Sequence, residues 1–458
     1  NDRVASVIAL DPARQGFGPI EFDLDPLFFT EINRLNFRFA GRYAVECNDP
    51  LSGLLWATVS DLSTLTLRIE KLQQQRDLSR LPEPFFDKRV LRTALSLPFV
   101  VADGTGPAGL RAAAIAASWF AVLADYRGAS FPVTRSIPVR GDAVLLAVGT
   151  DSAPGLALPR IEGPTLAVLA NPNDAFGSVL VIGGRTEAEA ATAALALATG
   201  HGGVSGEAAL VQASQPAPRA PYVAPRWLAP DHPVRIGSLV DRSELQASGF
   251  APGTIRMPLR TAPDLYTWRN GGLPAEIRYR SPPGPVVDVA TSRLDVSLSD
   301  SYLRSFPLGQ ERWWPVEWLL RQAGLNSDPQ VGRVSLPPYL LLGRGELQLR
   351  FDMHPLSRGE CVAVPGDIHA SIDPDSTVDI SHARRYAWMP NIGYFASAGF
   401  PFTRMADLSG TAALLPDRSS ALETAAFLDL VGHLSAITGA PATGLQIVTS
   451  GGVQAAAG

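Results

Sequence analysis

Leu347-x-Leu349-Arg350-Phe351, then Cys361, then Ala370-x-Ile372-x-x-x-Ser376-Thr377-Val378-x-Ile380 repeats a pattern that the chain has already used once. The earlier copy runs Leu35-x-Phe37-Arg38-Phe39, Cys47, Ala57-x-Val59-x-x-x-Ser63-Thr64-Leu65-x-Leu67, at an offset of 312 to 314 residues. Apolar and polar residues alternate with a period of two in both copies, as they do in strands that bury a single face. Each copy therefore reads as the last strands of an antiparallel β domain.

Outward from these strands, an apolar helical stretch follows each copy. Residues 110–126 lead to Gly128-Ala129, and residues 421–437 lead to Gly439-Ala440, 311 positions later. The duplicated unit is thus a β domain followed by an α/β domain, with a period near 313. The chain enters the first unit partway through its β domain and leaves the second partway through its α/β domain, so a fragment is expected. Within the first α/β domain, residues 143–148, 165–169 and 179–182 read as buried strands. Gly183-Gly184-Arg185 then leads into Thr186-x-x-Glu189, a capping box that opens an alanine-rich helix over 187–198. Strand, tight turn and helix predict a parallel, doubly wound sheet. The Pro-rich run 214–221 reads as a stiff linker. The expected domains are 1–81 (end of a first β domain), 82–213 (first α/β domain), 222–383 (second β domain) and 384–458 (start of a second α/β domain). Strands are expected at 276–279, 293–298 and 346–351.

Composition agrees with this multidomain reading and removes several function classes. The 458 residues exceed the roughly 150 of one domain, and 46% hydrophobic against 18% charged residues excludes a disordered chain. Gly 41 and Pro 39 favour turn-rich β structure. A net charge of −5 leaves no polybasic footprint for nucleic acid or anionic lipid. The lysines are Lys71 and Lys88, and neither follows a glycine, so a phosphate-binding P-loop is excluded. Ser-x-x-Lys also fails, because Arg68 and Phe85 stand at the serine positions. The apolar run 112–124 is short of the ~20 residues of a membrane span and reads as a buried core helix.

Candidate sites are few. Gly183-Gly184 lacks G-x-G-x-x-G, and Glu187 and Glu189 beside it would repel an anion, so the turn reads as structural. Asp373-Pro-Asp375-Ser-Thr377-Val-Asp379 imitates calcium-ligand spacing, but Val378 and Arg384 replace the required Gly and Glu, so it reads as a strand-end turn. Six histidines show no zinc-protease spacing, and Cys47 and Cys361 lack a zinc partner set, so no metal site is expected. Gly203-Val-Ser205-Gly206 is one residue short of a nucleophile elbow, and no catalytic constellation is recognised. Paired carboxylates for glycoside hydrolysis depend on three-dimensional spacing, which leaves open a secreted glycan-processing enzyme with a jelly-roll binding module. Arg38-x-x-x-Arg42 lacks the Asp/Asn-x-Ser-x-x-Gly element of cyclic dinucleotide receptors, and Arg38 alternates with Phe37 and Phe39 as a solvent-facing strand residue does. Aromatic residues of the second β domain carry more interest, because sugar rings present flat C–H faces that stack on exposed Trp or Tyr. Trp313-Trp314-x-x-x-Trp318 reads as packing, whereas Tyr266 and Trp268 sit in a loop-rich, Gly-rich setting; Tyr279 and Tyr302 complete the candidates.

Four strings carry a family resemblance: Leu81-Pro-Glu-Pro-Phe-Phe-Asp87; Ala114-Ile-Ala-Ala-Ser-Trp-Phe120 with Tyr126-Arg-Gly-Ala129; Pro263-Asp-Leu-Tyr266-x-Trp268; and Gly399-Phe-Pro-Phe-Thr-Arg404 within 391–408. With them the chain resembles, over nearly its whole length, the periplasmic B subunits of bacterial cellulose synthase. The resemblance implies an α+β multidomain protein in which a β-sandwich jelly roll, carbohydrate-binding-like, precedes an α/β flavodoxin-like domain, twice. It implies a non-catalytic subunit on the periplasmic side of the inner membrane, with a signal peptide and a C-terminal membrane anchor outside this stretch. Its implied partners are the membrane-embedded A subunit, which polymerises UDP-glucose, and the nascent cellulose chain, a β-1,4-glucan. Trp268, Tyr266, Tyr302 and Tyr279 are the expected glucan contacts, and a scaffold touching only the A subunit is the rival reading. The family often carries a cyclic di-GMP-binding label, while that effector acts in the cytoplasm on the A subunit; no cofactor is expected here. Cys47 and Cys361, equivalent in two separate jelly rolls, are expected to be free buried thiols.

Overall fold

Alternating residues form antiparallel sheet in the computed structural model of the chain, and apolar runs form parallel strands and buried helices. The structure describes residues 20–25, 56–68, 75–87, 94–149, 156–200, 204–212, 216–217, 219–250, 252–266, 271–282, 287–288, 290–309, 329–356 and 368–449, with scattered other positions before 75. Residues 56–68 of the first copy are described and are exposed without forming a strand, so the strands expected there are not found; Arg38, Cys47, Cys361, Trp268, Trp313, Trp314 and Trp318 lie outside the described residues.

The first α/β domain contains β1 (Leu95–Ser96), β2 (Phe99–Val100), α1 (Pro107–Ala124), β3 (Ala129–Ser130), β4 (Val133–Thr134), β5 (Ala143–Val148), β6 (Thr165–Asn171), β7 (Asp174–Gly184), α2 (Glu187–Thr199) and β8 (Ala208–Leu210). Its six-stranded sheet has the order β4-β2-β5-β7-β6-β8. Strands β4, β2, β5 and β7 run parallel, but β6 is antiparallel to both β7 and β8. The sheet is therefore mixed, and the expectation of a parallel one holds for three of its five strand pairings. Only Pro172 and Asn173 separate β6 from β7, which allows a hairpin and forbids the dozen or so residues of a parallel crossover. Among the described residues both helices share a core with Phe99, Leu146, Val168 and Leu180 on one face, while the other face meets Ile137, Leu156, Leu158 and Ile161.

Helix α1 starts with Pro107 after a Gly106 cap that offers no side-chain acceptor. The Glu187 carboxylate from α2 serves instead, taking the N–H groups of Gly106 at 2.7 Å and Gly109 at 3.0 Å. The helix is long and apolar enough to cross a membrane, yet residues on every side of it, from Ala112 to Ala124, are buried. It is the central helix of a protein core, as the sequence predicts.

Strands β9 (Val234–Arg235), β10 (Gln246–Ser248), β11 (Ile255–Arg260), β12 (Leu265–Tyr266), β13 (Leu273–Arg280), β14 (Arg293–Leu298), β15 (Ser301–Pro307), β16 (Gln330–Leu336), β17 (Arg344–Asp352), β18 (His369–Ile372), β19 (Thr377–Val378) and β20 (Arg384–Arg385) follow. One sheet has the order β10-β18-β13-β19-β9, with β16 also on β13, and the second has β11-β17-β14-β15. All their pairings are antiparallel. The inward residues of both sheets, among them Met257, Ile277, Val296 and Leu349, close one core between them, so this domain is a β-sandwich.

The second α/β unit begins with α3 (Ile392–Ala398), β21 (Ala412–Leu415), α4 (Ala421–Thr438) and β22 (Gln446–Thr449). Here the repeat is visible as geometry. The parallel pairs Phe99↔Val133 and Val100↔Thr134 recur as Ala413↔Ile447 and Leu414↔Val448, each 314 residues on. Helices α1 and α4 have 18 residues each and start at the same offset. They also pack on one another, with reciprocal contacts as across a two-fold axis. From α4, Asp429 accepts the Phe131 N–H at 2.7 Å and Gly432 makes room for the Phe131 ring. From α1, Ser118 accepts the Ala442 N–H at 2.9 Å and Arg111 donates to the Thr443 carbonyl at 2.7 Å. Arg226, at the entrance to the sandwich, sits where the two helices end. Its Nη2 donates to the Val122 carbonyl at 2.7 Å and its Nη1 to the Ala436 carbonyl, and these two carbonyls are repeat equivalents. Asp125 completes the site at 2.8 Å from Nη1.

Candidate functional site

Strands β12 and β20 form a small antiparallel ribbon that leaves the sandwich toward the second α/β unit, with Leu265 opposite Arg385 and Tyr266 opposite Arg384. The ribbon sets Tyr266 beside Tyr386, ring centroids 6.1 Å apart, and Tyr386 edge-on to Trp388 at 6.0 Å. All three rings are exposed, Trp388 most of all at 79%. Side chains two apart on an extended segment point the same way, which is why Tyr386 and Trp388 meet.

Behind the ribbon lies a cavity of about 440 Å³, with Tyr222, Asp264, Arg385, Tyr386, Phe402 and Arg404 in its wall. Asp264 is 3% exposed, and a carboxylate so buried needs compensation. It receives the Tyr222 hydroxyl at 2.9 Å and Arg385 Nη1 at 3.1 Å, and its backbone carbonyl takes the Tyr386 N–H at 2.9 Å. Arg385 lies over the Tyr222 ring, 4.3 Å from its centroid. Tyr222 has φ +68°, a left-handed conformation costing ~1 kcal/mol for a non-glycine residue, and its N–H is tied to the Arg404 carbonyl at 2.8 Å. Burial, reinforced by the hydrogen bond to Asp264, pushes the Tyr222 hydroxyl above the usual tyrosine range. No carboxylate among the described residues pairs with the exposed Arg404 guanidinium. The wall thus combines a neutralised carboxylate, a free guanidinium and aromatic faces. That set can hold a polar ring, but a single tied carboxylate does not make the pair that glycoside hydrolysis requires.

Of the sequence candidates, Tyr266 joins this cluster. Tyr302 is exposed on β15, in no ring contact with that cluster, with its hydroxyl 2.8 Å from Ser305 Oγ. Trp268 lies outside the described residues. Tyr279 is corrected: it is 3% exposed, packs on Phe306 and donates to the Pro307 carbonyl at 2.8 Å, so no glucan reaches it. It shares the inward face of β13 with Leu273, Ala275 and Ile277. Tyr386 and Trp388 were missed, although Tyr386-Ala-Trp388 spaces two aromatics by the strand period just before a proline. Gly183 and Gly184 lie inside β7, and a Cβ on Gly184 would meet the Ala190 nitrogen at 2.5 Å, so they serve close packing of strand and helix. In the 373–379 segment the Asp375 N–H bonds Asp373 Oδ1 at 3.0 Å, and the two carboxylates pair with Arg280 and Arg235. Among the described residues no cluster of His, Cys, Asp or Glu is placed to hold a metal ion.

Comparison with known proteins covers the chain with four domain models of one family. They are described as Cellulose synthase BcsB, first CBM domain (residues 1–71), first FD domain (77–211), second CBM domain (233–377) and second FD domain (385–458). Putative cellulose synthase 2 of Komagataeibacter xylinus is 46% identical over 453 residues, which is 98% of this chain and 29% of that protein. The Cyclic di-GMP-binding protein of the same organism is 41% identical over 98% of this chain and 56% of its own length. The protein of that name from Pseudomonas fluorescens is 39% identical over 93% and 57%. The chain therefore spans between about a third and somewhat over half of the relatives it matches. Two alternating pairs of these domains, in the order that the internal repeat requires, place the chain in the cellulose synthase BcsB family.

Proposed function

We propose that this protein is a non-catalytic accessory subunit of bacterial cellulose synthase, held at the periplasmic side of the inner membrane, where it supports the glycosyltransferase A subunit and guides the emerging β-1,4-glucan. The observation that carries this reading is the consecutive match of four BcsB domains along the chain. Exposed aromatics on the second sandwich and its ribbon, Tyr302, Tyr266, Tyr386 and Trp388, supply faces suited to a glucan. We read the domains as 1–81, 82–213, 222–383 and 384–458, with jelly-roll sandwiches and flavodoxin-like α/β units. The parallel run β4-β2-β5-β7, with α1 after β2, supports the flavodoxin-like part. Some relatives are named for cyclic di-GMP binding; for this chain we propose no cofactor.

Membranes carrying the A subunit with and without the full-length protein test the reading through cellulose formed from UDP-glucose. Cellulose is expected only when both are present, and equal output without this protein would refute it. Release of reducing ends from a β-glucan by the purified chain would instead establish an enzyme.

A further inference from the structure

We propose that the cavity behind the β12–β20 ribbon is a saccharide subsite, taking one or two hexopyranose units of a neutral glucan, with Trp388 as the stacking face at its mouth. The inference rests on the glucan reading above and deepens it by assigning the contact to a defined place, at the junction of the sandwich and the second α/β unit.

The volume, about 440 Å³, falls within the ~300–1,000 Å³ of ligand pockets. Its polar groups are prepared for hydroxyls. An ionised carboxylate has about four acceptor positions and a guanidinium five donors. Asp264 spends two acceptor positions on Tyr222 and Arg385, and Arg385 spends a donor on Asp264, so each retains capacity for a ligand. Arg404 adds a guanidinium with no partner carboxylate among the described residues. These groups are held in place: Asp264 by burial, Tyr222 by its bond to the Arg404 backbone, and Arg385 by the Tyr222 ring. A vicinal diol, with donors and acceptors side by side, matches alternating carboxylate and guanidinium edges. The charged wall is Asp264 paired with Arg385 plus Arg404, so the choice of a neutral sugar over an anion rests on the aromatic faces beside it. The adjoining aromatics then provide what a sugar needs and a simple anion does not. Trp388 is 79% exposed and edge-on to the lining residue Tyr386, which Tyr266 also adjoins.

Isothermal titration of the whole chain with cellohexaose tests the assignment, using Trp388→Ala and Arg404→Gln, both at exposed side chains, with thermal unfolding as the check on folding. Binding by wild type with about tenfold weaker binding by each folded variant is the expected result. Equal affinity in wild type and both variants would overturn the subsite and leave glucan contact elsewhere on the chain. No heat from cellohexaose with wild type would also overturn it, while cellulose output with and without the full-length protein decides the broader reading separately. Tighter binding of inorganic phosphate or of a glucuronate-containing oligosaccharide than of cellohexaose would overturn the choice of a neutral ligand.

Discussion

Arg226→Met keeps the apolar stem of the side chain and removes the guanidinium that closes the ends of α1 and α4. Two helix C-termini converge on this one cation, so their carbonyl ends repel each other without it. A hydrogen bond from a charged donor contributes ~1.5–3 kcal/mol net. The ion pair with Asp125 adds little, ~0–1 kcal/mol, because Asp125 is partly exposed and keeps Arg260 at 3.4 Å as a second partner. Water regains part of what the two carbonyls lose, which places the total near ~2–4 kcal/mol. At ~2–4 °C per kcal/mol for domains of this size, the transition containing the paired helices drops by about 4–16 °C in differential scanning calorimetry. Arg226→Lys recovers only a fraction, since an ammonium lacks the fork that reaches two carbonyls in a plane. A shift within about 1 °C for the methionine variant would show that the helices are held by packing alone, and full recovery by lysine would show that the charge rather than the planar fork holds them.

Gly432→Leu places a side chain where even a Cβ stands 2.8 Å from the Phe131 ring, so urea unfolding should show a loss of ~1–3 kcal/mol with helix content retained below the transition. Burial pushes the Tyr279 hydroxyl up to about 12, while an unfolded tyrosine ionises near ~10. Its contribution is complete below pH ~10 and is lost as pH rises toward ~12, so Tyr279→Phe should flatten the alkaline fall of urea-unfolding stability relative to wild type. Glu187→Ala uncaps α1 at Gly106 and Gly109 and should cost ~1 kcal/mol in thermal unfolding; an unchanged midpoint would mean that water caps the helix equally well.

The duplication was legible because its period survives substitution: Arg350-Phe351 and Arg38-Phe39 keep polar and apolar positions in step in the sequence even where the apolar residues differ. The sandwich strands were legible for the same reason. The antiparallel turn at Pro172-Asn173 was not, because β7 is buried on both faces over much of its length and shows no period that distinguishes its direction. Tyr279 shows a signal present and overlooked, since Leu273, Ala275 and Ile277 precede it at strand spacing. The cavity lay beyond reach: Tyr222, Asp264 and Arg385 are distant in sequence, and only the ribbon pairing of Leu265 with Arg385 brings them together.

Arg226 illustrates what duplication inside one chain permits. In a homodimer every residue arrives with a twin, and a side chain on the symmetry axis must share its place with its own copy. Here the two helices are joined covalently, and a single guanidinium from outside the repeat pairing occupies the axis, binding Val122 and Ala436 as equivalents. The pairing also ceases to depend on protein concentration, because the tether replaces encounter between separate molecules. Once freed from self-complementarity, the two halves can diverge, and a ligand site such as the one beside Asp264 can arise in one copy without being imposed on the other.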